Sequence, residues 1–479
     1  MTSALSDSDT QDTDTATHEL PEVRTELPGP KSREWFARAD PHITATMGDH
    51  ADIPFVEASK RGSLVVDVDG NTFADHCSAW GSTPLGATPE AVQRAVTEAQ
   101  LRYGMEISNY VASEPVVALA ERLVEIAPPG LTRISMGVSG TLVVEAGVKL
   151  AREATGRPMI LSFYGQYHGE STYLTAGMST DLSEVPTQHA QYVAGLVFAP
   201  YPNRFRAPFH SGPGPFDDQW YLDYLEEWVL VHQVEPTQIA GVLIEPVLGE
   251  GGILIPSQGF WDRLTDMCKR WGWKLILDEV QTCMGRCGTM FAAERFGLEP
   301  DILLLGKGFA GGGQPIAAVL GSEDVMAGSS LHLGGTFAWT PAAAAGALAN
   351  IDAILETGAL DNAMRLEAIA LEELAPAVER HAQVGEVRAA GAFVGIEFVQ
   401  DAETLRPAPA FHREVHLAAV RRGILGITQW GKWIYRLQPA IDMPEDLFRW
   451  SCRQIVDAID EVAANPPAES ASLLDRDGP

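Results

Sequence analysis

Three short stretches end an apolar run on a residue able to do chemistry. "PDILLLGKG" carries Ile302 to Leu305 through Gly306 into Lys307. Lysine is almost never fully buried unless something pairs with it, so Lys307 either marks a strand reaching solvent or is held in a site. In a partly desolvated pocket the amine loses its proton more readily and becomes a nucleophile suited to Schiff-base formation. "WKLILDEVQ" ends in the same way on Asp278 and Glu279. A carboxylate there is either a solvated loop acid or the partner of a cation. "GVSGTLVVEAGVKLAR" passes from strand to helix through Ser139, Gly140 and Thr141. Small residues at a helix start expose N–H groups, so this turn suits a phosphate or simply caps the helix.

Taken singly, each feature has an ordinary structural explanation. Taken together, an amine, a carboxylate and a phosphate cradle at the strand ends of one sheet match the needs of pyridoxal phosphate. The lysine holds the aldehyde, the cradle holds the phosphate, and the acid keeps the pyridine nitrogen protonated. Competing motifs are weaker. The Ser139 turn nearly forms a G-x-S-x-G elbow, but Thr141 occupies its last glycine position. "GFAGGGQP" follows the lysine and lacks the spacing of a dinucleotide fingerprint. Cys283 and Cys287 have no second pair, so no metal site is expected.

The elements that position these residues read as α/β. "RISMGV", "MILSFY", "LVFAPY", "AGVLIEPV", "KLILDEV", "DILLLG" and "AAVLG" alternate with helical segments such as "GFWDRLTDMCKRWG". Unbroken strands between helices predict a mainly parallel sheet covered on both faces, with ligands beyond the strands' carboxyl ends. "LVVDVDGNTFADHCSA" reads as a hairpin turning at Asp69-Gly70-Asn71. After "TPAAAAGALANIDAILETG" the chain is helix-rich, with "AFVGIEFV" and "KWIYRLQP" as strands. This predicts a large domain over 78–340 and a smaller α+β domain from both chain ends, 28–77 and 341–464. Residues 1–27 read as a disordered acidic tail and 465–479 as a flexible one.

The 479 residues are 46% hydrophobic and 20% charged, as in soluble globular proteins. A net charge of −30 opposes nucleic acid and anionic membranes as partners. Five cysteines make no disulfide framework and predict a cytoplasmic location. "TSALSDSDTQDTDTAT" has neither the basic nor the apolar part of a signal peptide, and no apolar run reaches bilayer length.

From about Pro28 to Ala464 the chain resembles the class III (subgroup II) aminotransferases of the fold-type I pyridoxal-phosphate enzymes. The resemblance is carried by "GPKSREWFARA", "VVDVDGNTFAD", "EAGVKLAREATGR" and "YGQYHG". It is carried above all by "IEPVLGEGGILIPSQGFWDRLTDMCKRWGWKLILDEVQTCMGRCGTMFAAERFGLEPDILLLGKG". The resemblance implies that Lys307 forms the Schiff base and shuttles the proton between Cα and C4′. It implies Asp278 at the pyridinium nitrogen, Val280 and Tyr167 on the two ring faces with His168 beside them, and Gln281 at the ring hydroxyl. Ser139, Gly140 and Thr141 would hold the phosphate, and Glu245 would support Asp278 or the ring surroundings. Thr336 of "GGTF" would reach the phosphate of a neighbouring subunit, which implies a homodimer with shared sites.

Arg436 of "WIYRLQPAI" aligns with an arginine that binds a substrate carboxylate in many members. Trp80 and Tyr110, with Trp339, Trp430 and Trp433, fall in segments that border the substrate cavity in relatives. An aromatic wall suits an apolar or bulky amine or ketone, although core or interface packing explains any one of these rings. The chain departs from the family's N-SGTEANE at Val138 and at Leu142-Val143-Val144, which implies fewer side-chain contacts to the cofactor. "TCMGRCG" replaces TGMGRTG, and "TFAWTP" places Ala338, Trp339 and Thr340 where small residues and Asn are usual. The implied activity is ping-pong transfer of an amino group from a small-molecule donor to a carbonyl acceptor. A racemase, epimerase or aminomutase would use the same residues, and a non-catalytic cofactor-binding homologue would keep them too.

Overall fold

The computed structural model describes residues 20–43, 55–87, 89–180, 193–207, 216–327, 329, 335–428 and 432–469. Near the N-terminus, Glu57–Arg61 (β1), Leu64–Asp67 (β2) and Thr72–Asp75 (β3) form an antiparallel meander. The expected hairpin turn is closed by Asp67, whose Oδ1 accepts from the N–H groups of Asp69 at 2.9 Å and Asn71 at 2.8 Å. An Asp side chain that bonds the backbone two residues on is a common way to fix such a turn.

The seven apolar runs become one sheet: Leu131–Gly137 (β4), Met159–Tyr164 (β5), Leu196–Pro200 (β6), Ile239–Ile244 (β7), Lys274–Asp278 (β8), Ile302–Leu305 (β9) and Ala317–Ser322 (β10). Their order is β4-β10-β9-β8-β7-β5-β6. Neighbours pair in parallel except at β10, which runs antiparallel to both β4 and β9. β7 and β9 are buried along their whole length. That explains why they read as continuous apolar runs rather than alternating ones. The helix Gln258–Trp271 covers one face with Phe260, Trp261, Leu264, Met267 and Cys268, the one-sided spacing of an amphipathic helix. Val143, Val144, Val148 and Leu150 of the helix Gly140–Thr155 pack with Ile276, Ile302 and Leu304 on the other face.

Val384–Ala389 (β11), Val394–Phe398 (β12) and Ile434–Leu437 make an antiparallel sheet, and Ile424–Leu425 lies between the last two in sequence. We label Ile424–Leu425 β13 and Ile434–Leu437 β14. β13 pairs in parallel with β3, so strands from the two chain ends share one four-stranded sheet. The helix Glu445–Ala463 packs on the helices Ala359–Leu374 and Pro409–Arg421. Part of the stretch expected to be a disordered tail is fixed to the hairpin. Glu22 N–H donates to Thr72 Oγ1 at 2.7 Å and Arg24 N–H to Asn71 Oδ1 at 2.7 Å. The polar turn residues thus supply partners for a passing backbone. At the other end, Glu469 accepts from the N–H groups of Ala410 and Phe411 at the start of a helix. Residues 1–19 and 470–479 of the expected tails lie outside the described residues. Among the described residues, no helix is long and apolar enough to cross a membrane.

Candidate active site

β4, β8 and β9 point the same way, so Ser139, Asp278 and Lys307 follow strand ends on one edge of the sheet. The three segments touch. A Cβ added to Gly140 would lie 3.0 Å from Val280 Cγ1, and one added to Gly306 would lie 3.1 Å from the same atom. Glycine at both positions lets the cradle turn and the lysine turn close on Val280 without displacing its side chain. Lys307 itself has φ +40°, a left-handed conformation for a residue with a side chain. Such backbone costs about 1–3 kcal/mol and concentrates at functional sites, where the surrounding structure holds it.

Burial pushes the Lys307 ammonium below its usual range. Glu250, Glu245 and Asp278 act against that shift, and Arg436 adds to it. Lys307 is half-buried and these charged groups act on its amine, so it is a strand end turned toward acids rather than a fully exposed surface end. Asp278 is itself buried. Its Oδ2 lies 2.7 Å from His168 Nδ1, and its Oδ1 accepts from Val280 N–H at 3.0 Å. His168 Nε2 is buried with no hydrogen-bond partner.

Glu245, just beyond β7, spans two loops. Its Oε1 accepts from Tyr167 N–H and its Oε2 from Gly249 N–H, each at 2.9 Å. It therefore braces the Tyr167 segment through backbone. Burial pushes its carboxyl up to about 8, with the Asp278 charge adding to the rise. Ser139 Oγ caps its helix by accepting from Leu142 N–H at 3.4 Å, so the capping explanation holds for that hydroxyl. Thr141 and the first-turn N–H groups, which a helix does not itself use, stand at the same turn.

Arg436 on β14 is buried and forms an ion pair with Glu250, Nη1 to Oε2, at 2.8 Å. Its Nη1 also donates to Gly249 O at 3.4 Å, while its Nη2 is buried without a hydrogen-bond partner. The guanidinium carbon lies 5.7 Å from the ring centre of Trp80. Trp80 stands on a turn in which Ser78, Ala79, Trp80 and Gly81 all have left-handed φ, from 46° to 82°. Lys432 Nζ donates to Glu250 O at 2.9 Å, and Gln281 Nε2 lies 3.5 Å from Glu250 Oε1. Burial alone would raise the Glu250 carboxyl, but Arg436, Lys432 and Lys307 bring it down to about 2.

The remaining expected residues fall elsewhere. Tyr110 is 87% exposed, and Thr336 is exposed beside the exposed Phe337. Their loops meet where Asn109 Nδ2 donates to Gly335 O at 3.4 Å. Trp339 is fully buried and donates to Ala317 O at 2.8 Å, so it is core. Trp433 is half-buried with its Nε1 3.3 Å from Glu397, and Trp430 lies outside the described residues. Cys283 and Cys287 are buried thiols that burial pushes upward, Cys287 to about 12. Sequence reasoning passed over Glu250 and Lys432. The signal for Glu250 was an acid set among glycines in "LGEGG", which has no strand or helix period to mark it.

The sequence pattern of the class-III aminotransferases matches residues 46–459. The chain is 30% identical to the alanine/serine racemase of Pyrococcus horikoshii, over 90% of each protein. It is 32% identical to the 4-aminobutyrate aminotransferase of Mycobacterium leprae, over 90% of this chain and 96% of that one. An amine transaminase from an uncultivated Pseudomonas species, solved in its PLP-bound form, superposes with a TM-score of 0.79 at 28% identity. That match covers 89% of this chain and 98% of the other. With fold and sequence pattern in agreement, the chain belongs to the class-III aminotransferases, enzymes of the pyridoxal-phosphate class.

Proposed function

We propose that the protein moves an amino group from an amine or amino-acid donor to a carbonyl acceptor in two successive half-reactions, with Lys307 as the catalytic amine. The observation that carries this reading is the half-buried Lys307, held in left-handed backbone at a strand end, whose ammonium is disfavoured although three nearby acids favour it. The residues present suit pyridoxal phosphate: a lysine for the aldehyde, a helix start for the phosphate, and a buried carboxylate for the ring nitrogen. When bound, that cofactor supplies a sink for the electrons of the bonds at the substrate Cα. With the cofactor bound, Lys307 would hold its aldehyde carbon, would yield that position to the donor's nitrogen, and as a neutral amine would carry the proton between Cα and C4′. His168 would steady Asp278 as the partner of the ring nitrogen. Val280 and Tyr167 would pack on the cofactor's ring, Gln281 would meet its hydroxyl, and Gly140 and Thr141 would hold its phosphate.

Arg436, with Nη2 open, would receive a substrate carboxylate. Together with relatives named for 4-aminobutyrate, this favours an ω-amino acid as donor. We further propose a homodimer in which Thr336 completes the partner's phosphate site. Leu101, Met105, Tyr110 and Phe337 are exposed apolar side chains on and near those loops, and such patches mark interaction surfaces. Gly335 lies beside Leu142 in the first turn of the cradle helix, so this surface adjoins the site. The composition fits the cytoplasm.

The similarity to an alanine/serine racemase favours one second reading, isomerisation at Cα. The test is to incubate the holoenzyme with single enantiomers of donors and no acceptor. About one equivalent of keto product per site supports amino transfer. Loss of optical purity without keto product moves the assignment to isomerisation. Lys307→Ala should abolish either outcome, and a variant that retains it would remove Lys307 from the reaction.

A further inference from the structure

The helix Pro341–Glu356 reads "PAAAAGALANIDAILE", and its buried face is alanine, glycine, proline and isoleucine with one polar exception, Asn350. That side chain is fully enclosed. A buried amide lowers stability unless both its ends are paired. Asn350 is half paired. Its Nδ2 donates to Gly308 O at 3.0 Å, while its Oδ1 is buried without a hydrogen-bond partner.

Gly308 follows Lys307 in the single 3₁₀ turn Lys307–Ala310. Its carbonyl also accepts from Gly311 N–H at 3.1 Å, so the turn has a partner for that oxygen without the amide. The need to pair the carbonyl therefore does not account for Asn350. The fit of the turn does. A Cβ on Gly311, at φ +60°, would lie 2.3 Å from Asn350 Cγ, and one on Gly308 would lie 3.3 Å from Gly81 O. Gly312 N–H donates to Ser82 O at 3.1 Å. The lysine turn is thus pressed between Asn350 and the turn that carries Trp80. Lys307 opens it at φ +40°, a conformation that persists only where the surroundings impose it.

We propose that Asn350 is a positioning residue for Lys307: its bond to Gly308 O holds the turn so that the amine keeps its place, and the unpaired Oδ1 is stability given up for that hold. Asn350 acts through the peptide that follows the lysine. The proposal rests on the reading of Lys307 as the catalytic amine.

The test compares the wild type with Asn350→Leu, which keeps the branched shape and removes both polar atoms. In the cofactor-free chain, the urea midpoint is measured, together with the rate at which trinitrobenzenesulfonate labels Lys307, read by peptide mass spectrometry. In the holoenzyme, kcat and KM are measured with a donor that gives keto product. The midpoint should stay at or above the wild-type value, because a buried unpaired oxygen is gone. Labelling of Lys307 should quicken about fivefold, the factor that one net hydrogen bond is worth. The exposed Lys269 should label as before. The kcat should fall about tenfold with little change in KM, because a displaced amine loses its alignment with the reacting atoms.

A midpoint well below the wild type would make Asn350 a support of the fold and overturn the proposal. Unaltered labelling of Lys307 or an unaltered kcat would overturn it as well. Should Asn350→Leu fail to fold, Asn350→Ala, which leaves more room at Gly311, decides by labelling and kcat. Failure of every donor to give keto product would remove the amino-transfer reading. The midpoint and the labelling rate would still decide the role of Asn350.

Discussion

Two sets of acids surround Lys307, and they are held in different ways. Asp278 and Glu245 on the cofactor side accept from backbone N–H groups of Val280, Tyr167 and Gly249. Glu250 on the substrate side is held by long side chains, Arg436 and Gln281, with Lys432 bonded to its own backbone. Groups fixed by backbone move only if their loops move, whereas long side chains change partner by rotating. On the proposed assignment the chemistry falls to the rigid set and recognition to the adjustable set, where Arg436 Nη2 has no hydrogen-bond partner. The two sets are joined at Gly249, whose N–H goes to Glu245 and whose carbonyl accepts from Arg436. A change on one side is therefore felt on the other through a single peptide unit.

The sharpest way to break that division is at Asp278. A neutral amide does not hold a proton on the ring nitrogen, so Asp278→Asn should lower kcat by about 10²–10³-fold, as for loss of other preorganised electrostatic groups. Cofactor content and KM should change far less. Rapid-mixing measurement of keto product in a single turnover reads this directly. A loss below tenfold would mean that the rigid set does not carry the chemistry.

Arg436→Met tests the adjustable set and should act on recognition and stability together. Truncating one partner of a buried charge pair costs about 2–5 kcal/mol, most of it from the charge left behind. We expect kcat/KM for 4-aminobutyrate to fall about 30-fold or more, with 1-aminobutane much less affected. The stranded Glu250 should also lower the unfolding midpoint in urea, and the further change Glu250→Gln should return it. A midpoint that the second change does not restore would show that Arg436 stabilises the fold by packing rather than by its pair.

This division explains what the sequence made legible. Lys307 and Asp278 each end an apolar run that burial of β9 and β8 makes conspicuous, while the Ser139-Gly140-Thr141 turn is marked by small residues between a strand and a helix. The same signal does not show direction, so "AAVLG" gave no sign that β10 runs against its neighbours. Glu250 sits in a turn with no periodic pattern, and its two cationic partners, Lys432 and Arg436, lie more than 180 positions away. The contact of His168 with Asp278 spans 110 positions between loops after different strands. Tyr110 and Thr336 carried chemistry-bearing side chains to an exposed surface, a placement that depends on the packing of two loops. Backbone-held groups at strand ends could be read locally. Pairs that the fold assembles across loops could not.

The smallest effect concerns pH, and it has opposite signs for the two sets. Glu250 is held at about 2 in the folded chain against an ordinary 4.5. A depressed carboxyl contributes stability above pH 4.5, and that contribution fades as pH falls toward 2. Glu245 is raised to about 8 from the same 4.5. The folded chain then keeps a proton that the unfolded chain has lost, so its contribution is full below pH 4.5 and fades as pH rises toward 8. Both groups are buried and coupled to neighbours, so about 1–2 kcal/mol across each window is the expected scale. Urea midpoints of the full cofactor-free chain between pH 3 and 8, roughly the range the linkage covers, separate the two. Glu250→Gln should flatten the acid limb and leave the upper limb, while Glu245→Gln should do the reverse. Should one substitution flatten both limbs, Gly249 would couple the two acids into a single titrating unit, and the rigid and adjustable sets would not be separate.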